Sequence, residues 1–353
     1  MNRESHKTVP DFHFLPTGIG SVPWTDVADT CDLILKYVPE APFWPQFVRL
    51  SFLEDMNAQF CEGLTFLLAD ESTRGVRLAS REVENDLVAF YDRYLAEDVD
   101  AFAVTESCAA GLHALLKSIR KDPGSTGPYI KGQTVGPVTF ALSIKDDEGK
   151  SAFHHPDLVE AIVKGLSIKA LWQVQSLGAT GKRPIFFIDE PALSGFGSAF
   201  SPIQRHEVIA YLKEVMGYLR ERVDVLIGIH CCGNTDWAMI LEAGPDIVNF
   251  DAYSYMDHFF LYAEEIKTFV RAGGTIAWGL VPTGEKAPEG SIDHLARRLE
   301  EGLDRLMGLG LDADIVSRRS MLTPACGMGT MEPAAAVTVM EHLCELASRR
   351  RNR

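Results

Sequence analysis

The chain alternates short apolar runs with longer amphipathic stretches, and this alternation constrains the fold more than any other feature. Four of the runs are nearly continuous in aliphatic, β-branched and aromatic residues, as strands buried on both faces are. They span residues 185–188, 225–229, 247–250 and 275–280. Helical patterns at 156–177, 202–222, 255–272 and 291–307 alternate with them. This part of the chain is therefore predicted to consist of the β-α-β units that build parallel sheets.

Four weaker strand patterns bring the count to eight. They lie at 17–21, 43–47, 129–135 and 320–323. Eight β-α repeats favour a (β/α)8 TIM barrel over a doubly wound open sheet, as a single α/β domain over residues 15–349. A ninth strand pattern at 101–105 predicts an inserted hairpin between the second and third barrel strands.

The two ends are predicted to lie outside the barrel. Residues 1–14 are interpreted as an N-terminal extension. The arginine-rich end, including residues 350–353, is interpreted as a solvated, disordered basic tail.

Charge and cysteine content narrow the function. The 353 residues carry 34 Lys and Arg against 49 Asp and Glu, a net charge of −15, which disfavours nucleic acid as the main partner. No apolar run approaches the roughly 18 residues of a membrane span, and the first residues are too polar for a signal peptide, so we expect a cytoplasmic protein. Seven scattered cysteines indicate reduced thiols or metal ligands rather than a disulfide framework.

A histidine and a cysteine at one strand end suggest a metal site. His230 and Cys232 stand two residues apart, so they share one side of the strand, while Cys231 points the other way and is expected to pack. Imidazole and thiolate are ligands that Zn²⁺ prefers. Asp251 after the next strand and Cys326 after the last one would complete four ligands. From spacing alone, a core histidine with small apolar cysteines remains an equal alternative.

Two adjacent acids end another strand. Because neighbouring residues project oppositely, only one of Asp189 and Glu190 can face the barrel mouth. We expect Asp189 to face it and to hold a substrate ammonium group, and Glu190 to serve the outer wall or a loop. The alternative is that the carboxylates only anchor loops.

The motifs at these strand ends carry a family resemblance. The matching pieces are Ile19-Gly20-Ser21-Val22-Pro23, Gly136-Pro137-Val138-Thr139, Ile188-Asp189-Glu190-Pro191-Ala192-Leu193, His230-Cys231-Cys232, Val248-Asn249-Phe250-Asp251 and Pro324-Ala325-Cys326-Gly327. With them, the chain resembles the catalytic C-terminal barrel of cobalamin-independent methionine synthase, in a superfamily that also holds methylcobalamin:thiol methyltransferases and uroporphyrinogen decarboxylase.

The resemblance implies a zinc-dependent methyltransferase with homocysteine as its thiol substrate. It makes His230, Cys232, Asp251 and Cys326 the zinc ligands. It also implies that Asp189 is a catalytic residue that binds the amino group of homocysteine, and that Gln46 stands where the synthases use Glu for that group. Ile19 and Ser21 would contact the carboxylate end.

The methyl donor and the acceptor stay open in this interpretation. The donor is expected to be methylcobalamin, bound transiently or carried by a separate corrinoid protein, or methyl-tetrahydrofolate. The corrinoid is preferred because 353 residues leave no room for the additional barrel of the long synthases. The alternatives are another thiol acceptor such as coenzyme M, a decarboxylase of the uroporphyrinogen type, and a non-catalytic zinc- or corrinoid-binding accessory protein.

Overall fold

A seven-stranded parallel sheet forms the centre of the protein in this computed structural model, which describes residues 9–79, 83–146, 148–197, 203–284 and 291–352. In chain order the strands are Leu15–Pro16 (β1), Leu67–Asp70 (β2), Gly75–Leu78 (β3), Tyr129–Val135 (β4), Arg183–Asp189 (β5), Leu226–Cys231 (β6), Ile247–Phe250 (β7), Thr275–Val281 (β8) and Ser320–Pro324 (β9). The parallel sheet has the order β1, β9, β8, β7, β6, β5, β4, whereas β2 and β3 form a separate antiparallel hairpin.

Two extended segments close this sheet into a barrel. Phe43 pairs in parallel with Lys131 on β4, and Ser21 pairs in parallel with Gln46. The backbone N–H of Trp44 donates to the carbonyl of Lys131 at 2.9 Å, and that of Gln46 donates to Gly20 at 3.0 Å. The segments around 43–46 and 18–21 therefore fill the gap between β4 and β1, and the predicted α/β (β/α)8 barrel is confirmed.

Helices surround the strands. Their bounds are Val27–Tyr37 (α1), Val83–Leu95 (α2), Ala110–Lys121 (α3), Pro137–Ser143 (α4), Pro156–Gly178 (α5), Arg205–Arg220 (α6), Trp237–Ala243 (α7), Ala252–Phe259 (α8), Ala263–Arg271 (α9), Ile292–Gly308 (α10), Ala313–Arg318 (α11) and Pro333–Arg351 (α12). Within the described ranges, none of these helices combines the length and the apolar character that crossing a bilayer requires.

Strand alternation separates two apolar cores. Ile185 and Phe187 on β5 point into the barrel and pack with residues such as Leu226, Ile247 and Met321. Their neighbours Phe186 and Ile188 belong to the larger core between the strands and the helices. Because β5 to β9 are buried on both faces, their sequences read as nearly continuous apolar runs.

The region between residues 47 and 129 corrects one predicted strand. The hairpin there is formed by β2 and β3, whereas the expected strand at 101–105 is wrong, since Val99–Phe102 forms a short 3-10 helix. Phe102 is buried edge-to-face against Phe90 of α2, with ring centroids 5.8 Å apart. Its carbonyl accepts a hydrogen bond from the buried Lys169 ammonium at 3.2 Å instead of one from a neighbouring strand.

The C-terminal arginines also differ from expectation. Arg350 and Arg351 are not a disordered tail but the last residues of α12, and they pair with Glu300 and Glu40, each at 2.6 Å. Residue 353 lies outside the described residues, as do residues 1–8 of the predicted N-terminal extension. Phe12, from the described part of that extension, packs into the core inside the barrel.

The inside of the barrel leaves no room for a side chain at Gly228 on β6. A Cβ atom there would lie 2.4 Å from the Phe187 ring. We expect Gly228→Ala to lower the free energy of unfolding by about 1–3 kcal/mol through overpacking. The matched control is Gly217→Ala on α6, where a Cβ atom would meet open space, and there we expect no loss and up to about 1 kcal/mol of gain. Denaturant unfolding measures both, and equal effects would contradict this account of the barrel interior.

Candidate functional site

Three potential metal ligands meet at the carboxyl ends of β6 and β9. The ligand atoms of His230, Cys232 and Cys326 all lie within 4.8 Å of one another. His230 is buried, and the two cysteines are partly exposed. Cys231 packs into the outer core, so the predicted opposite directions of Cys231 and Cys232 are confirmed. The arrangement offers one imidazole nitrogen and two sulfurs to a single ion.

The loop after β9 brings Cys326 to this cluster by lying against the first barrel strand. The N–H of Met328 donates to the carbonyl of Ser21 at 2.9 Å, and the N–H of Gly329 donates to the Ser21 hydroxyl at 3.3 Å. A Cβ atom on Gly327 would lie 2.1 Å from that hydroxyl oxygen. Glycine at 327 therefore permits the close approach that holds Cys326 over the barrel mouth.

The two sulfurs do not have equal affinities for protons. The hydrogen bond with Cys326 lowers the pKa of Cys232 despite its burial. The same bond, together with burial, raises the pKa of Cys326. The hydrogen bond between the two thiols thus favours ionisation of Cys232 over ionisation of Cys326.

Four more predicted residues line the cavity above this cluster. Its volume is about 350 Å³. The lining residues are Ile19, Ser21, Gln46, Val48, Asp55, Met56, Asp189, Pro191, His230, Cys232, Cys326, Gly327, Gly329 and Thr330. All the predicted substrate-binding positions, namely Ile19, Ser21, Gln46 and Asp189, are therefore brought together with three of the predicted metal ligands.

Asp189 and Glu190 are both buried but differ in their hydrogen-bond partners. Asp189 ends β5 on its inner side, and its Oδ1 atom is buried with no hydrogen-bond partner in the described parts of the chain. Burial raises the pKa of Asp189, although His230 and Lys131 act against this. Glu190 instead accepts hydrogen bonds from the N–H groups of Val138 and Thr139 at 2.9 and 2.8 Å. Glu190 anchors the turn into α4, whereas Asp189 is available to the cavity.

Asp251 does not join the metal-ligand cluster, and the predicted set of four is corrected to three. The helix α8 begins at Ala252, directly after Asp251, which takes the N-cap position. Its Oδ1 atom accepts a hydrogen bond from the N–H of Ser254 at 2.8 Å. Because β7 already ends at Phe250, strand alternation no longer determines the direction of this side chain.

Two buried polar residues beside the site were not predicted. The ammonium of Lys131 donates to the carbonyl of Ile19 at 2.5 Å and to the side chain of Gln133 at 3.1 Å. Burial lowers the pKa of Lys131 to about 8, although Asp189 acts to raise it. Asn249 is fully buried on β7 and contacts His230. The available signal was the polar residue at every second position of β4, Lys131 and Gln133, which marks the side facing into the barrel.

Comparisons with known proteins give little similarity. No family model matches the chain, and no curated protein matches it. Among solved structures it is similar to the GH113 β-mannanase AaManA from Alicyclobacillus acidocaldarius in complex with ManMIm. The identity is 12%, the TM-score is 0.38, and the match covers 68% of this chain and 79% of the mannanase chain. So weak a likeness carries no argument about what this chain binds or does.

The expectation of methyl transfer to a thiol is wrong. No family model and no curated protein matches the chain, so no comparison supports that expectation. That expectation depended on short motifs at strand ends, and one barrel fold supports many chemistries through such ends. The observed arrangement of the side chains does not depend on that resemblance.

The different environments of the two adjacent acids predict different effects of neutralising them. Glu190→Gln should lower the free energy of unfolding by about 1–3 kcal/mol, because an amide NH₂ group would then face a backbone N–H donor. Asp189→Asn is the matched control and should cost less, since the Asp189 Oδ1 atom has no described donor to lose. Denaturant unfolding of both variants measures the difference. A larger loss for Asp189→Asn would refute the assigned roles.

Proposed function

We propose that the protein is a zinc-dependent enzyme that binds a small substrate next to the metal at the mouth of its barrel. The observation that carries this proposal is the convergence of His230, Cys232 and Cys326 within 4.8 Å of one another on the wall of a cavity. Structural zinc sites in proteins use four protein ligands, whereas catalytic sites use three and leave a position for water or substrate.

The donor set fits zinc better than it fits other common metals. Two thiolates and one imidazole match the ligand preference of Zn²⁺, and hard ions such as Mg²⁺ and Ca²⁺ prefer oxygen ligands. His230, Cys232 and Cys326 would hold the ion. When bound, zinc supplies a Lewis-acidic position at which a donor atom of the substrate is polarised or kept as an anion.

The cavity walls indicate the kind of substrate. Its volume of about 350 Å³ is near the lower end of ligand pockets, which suits a small molecule. Two carboxylates, Asp55 and Asp189, line it, and none of the described lining residues is Lys or Arg. This lining favours a cationic or donor-rich substrate over a polyanion.

Asp189 is the residue to which we assign substrate orientation. Its buried Oδ1 atom lacks a described partner, and an unpaired buried acceptor is costly unless a donor is supplied. An ammonium or hydroxyl group of the substrate would supply it. Gln46 is held less freely, because its Nε2 atom already donates to Gln59 at 2.8 Å.

The metal content of variants tests the zinc site. The purified protein should hold about one zinc per chain, because the three protein ligands meet at one place at the carboxyl ends of the strands. Cys326→Ser and Cys232→Ser should each lose most of it, because each removes one of the two thiolates. Cys231→Ser is the matched control and should keep it, since Cys231 packs into the outer core. Elemental analysis after dialysis measures the stoichiometry. Full occupancy in Cys326→Ser would contradict the site.

Cobalt substitution distinguishes an open site from a closed one. In the Co²⁺ protein, adding a small exogenous metal ligand such as a hydroxamate should shift the visible absorption bands, because three protein ligands leave a position free. Bands that stay unchanged at saturating ligand would indicate a site closed by four protein ligands and would refute the proposed enzymatic role.

A further inference from the structure

The buried amide of Asn249 joins His230 to two neighbouring strands. The Oδ1 atom of Asn249 lies 2.5 Å from Nδ1 of His230. The Nδ2 atom donates to the carbonyl of Ala277 on β8 and to the hydroxyl oxygen of Thr323 on β9, both at 2.8 Å. One side chain thus connects the imidazole on β6 with the strand that leads to Cys326.

These contacts determine which nitrogen of the His230 ring carries the proton. The Ala277 carbonyl can only accept a hydrogen bond, so the NH₂ group of Asn249 must face it. The Oδ1 atom then faces His230 and can itself only accept. Nδ1 of His230 must therefore carry a hydrogen, and in the neutral ring Nε2 keeps its lone pair.

One nitrogen of the same ring also lies within 4.8 Å of the sulfurs of Cys232 and Cys326. Because Nδ1 is engaged by Asn249, this second contact falls on Nε2. The nitrogen with the free lone pair is accordingly the one that faces the sulfur cluster.

We propose that Asn249 is a positioning residue that fixes the tautomer and the ring orientation of His230, so that Nε2 is presented to the metal. The proposal rests on the zinc site proposed above and deepens it. Ligating histidines commonly donate their second N–H to a carboxylate, a carbonyl or water, and losing such a partner typically weakens metal binding by about 10–100-fold. Here an amide oxygen supplies the acceptor, and its own orientation is set by a backbone carbonyl.

The tautomer can be measured without any metal. In metal-free wild-type protein labelled with ¹⁵N-histidine, two-bond N–H correlations should show His230 protonated at Nδ1. His230→Gln identifies the signals among those of the ten histidines. A neutral ring protonated at Nε2 would overturn the proposal. This result does not depend on zinc binding, so it is separable from failure of the zinc site itself.

Zinc affinity, measured by competition with a chromophoric chelator, tests the consequence. Asn249→Leu should bind zinc about 10–100-fold more weakly, because Nδ1–H loses its acceptor. Asn249→Asp should bind more tightly than Asn249→Leu, since a carboxylate oxygen also accepts from Nδ1–H. It should bind less tightly than wild type, since its other oxygen would face the carbonyl of Ala277. Thr323→Val is the matched control: it removes one contact of Nδ2 but leaves the contact with His230.

Each outcome of the affinity series bears on the role of Asn249. Wild-type zinc affinity in Asn249→Leu, or an equal loss of affinity in Thr323→Val, would indicate that Asn249 only links neighbouring strands and would overturn the proposal. Should Asn249→Leu fail to fold by circular dichroism, the tautomer of the metal-free wild-type His230 ring decides. A wild-type protein that binds no zinc overturns the proposed function, and with it the presentation of Nε2 to a metal.

Discussion

Parallel closure of the barrel is the constraint on which the candidate site depends. His230 and Cys326 lie on β6 and beyond β9, three positions apart in the sheet, and they meet because a closed parallel sheet directs all its carboxyl ends toward one mouth. Closure itself depends on two short pairings, Phe43 with Lys131 and Ser21 with Gln46. Ser21 also receives the loop that carries Cys326, so the strand that completes the ring also positions a ligand.

The inside of the barrel changes character along its axis. Toward the amino ends of the strands it is apolar, with Phe12, Ile185 and Leu226 in contact. Toward the carboxyl ends it holds the buried side chains of Gln133 and Asn249. The ammonium group of Lys131 reaches this layer and donates to Gln133, although the backbone of Lys131 pairs with Ile185. Buried polar groups are costly unless they are hydrogen-bonded, and all three have described partners. The polar layer contacts the cavity-lining residues Ile19 and His230, and it is held by backbone carbonyls as well as side chains.

The sequence predicted the barrel and most of the site, because both follow from short-range periodicity. Strands buried on both faces are recognisable from their apolar runs, and alternation alone separated Asp189 from Glu190 and Cys232 from Cys231. Alternation failed where a strand ended one residue early, as at Asp251, which caps α8 instead of facing the mouth. It also failed at 101–105, where a lysine from α5 satisfies the backbone that a partner strand would have paired. Contacts between distant elements, such as that of Asn249 with Thr323, leave no trace in local periodicity.

The charges around the cavity explain why this site would select a bifunctional ligand. Two thiolates would balance the charge of the proposed Zn²⁺ ion, so the attraction between the metal centre and a distant substrate would be weak and binding would depend on direct coordination. Asp189 would attract the other end of the substrate, although the nearby ammonium of Lys131 partly offsets its negative charge. The Lys131 ammonium already donates to the Ile19 carbonyl and the Gln133 side chain. It cannot move closer to Asp189 without losing those hydrogen bonds. A ligand that donates a lone pair to the proposed metal and a hydrogen bond to Asp189 would satisfy both ends of the cavity. A ligand with only one of these groups would leave the other end unsatisfied.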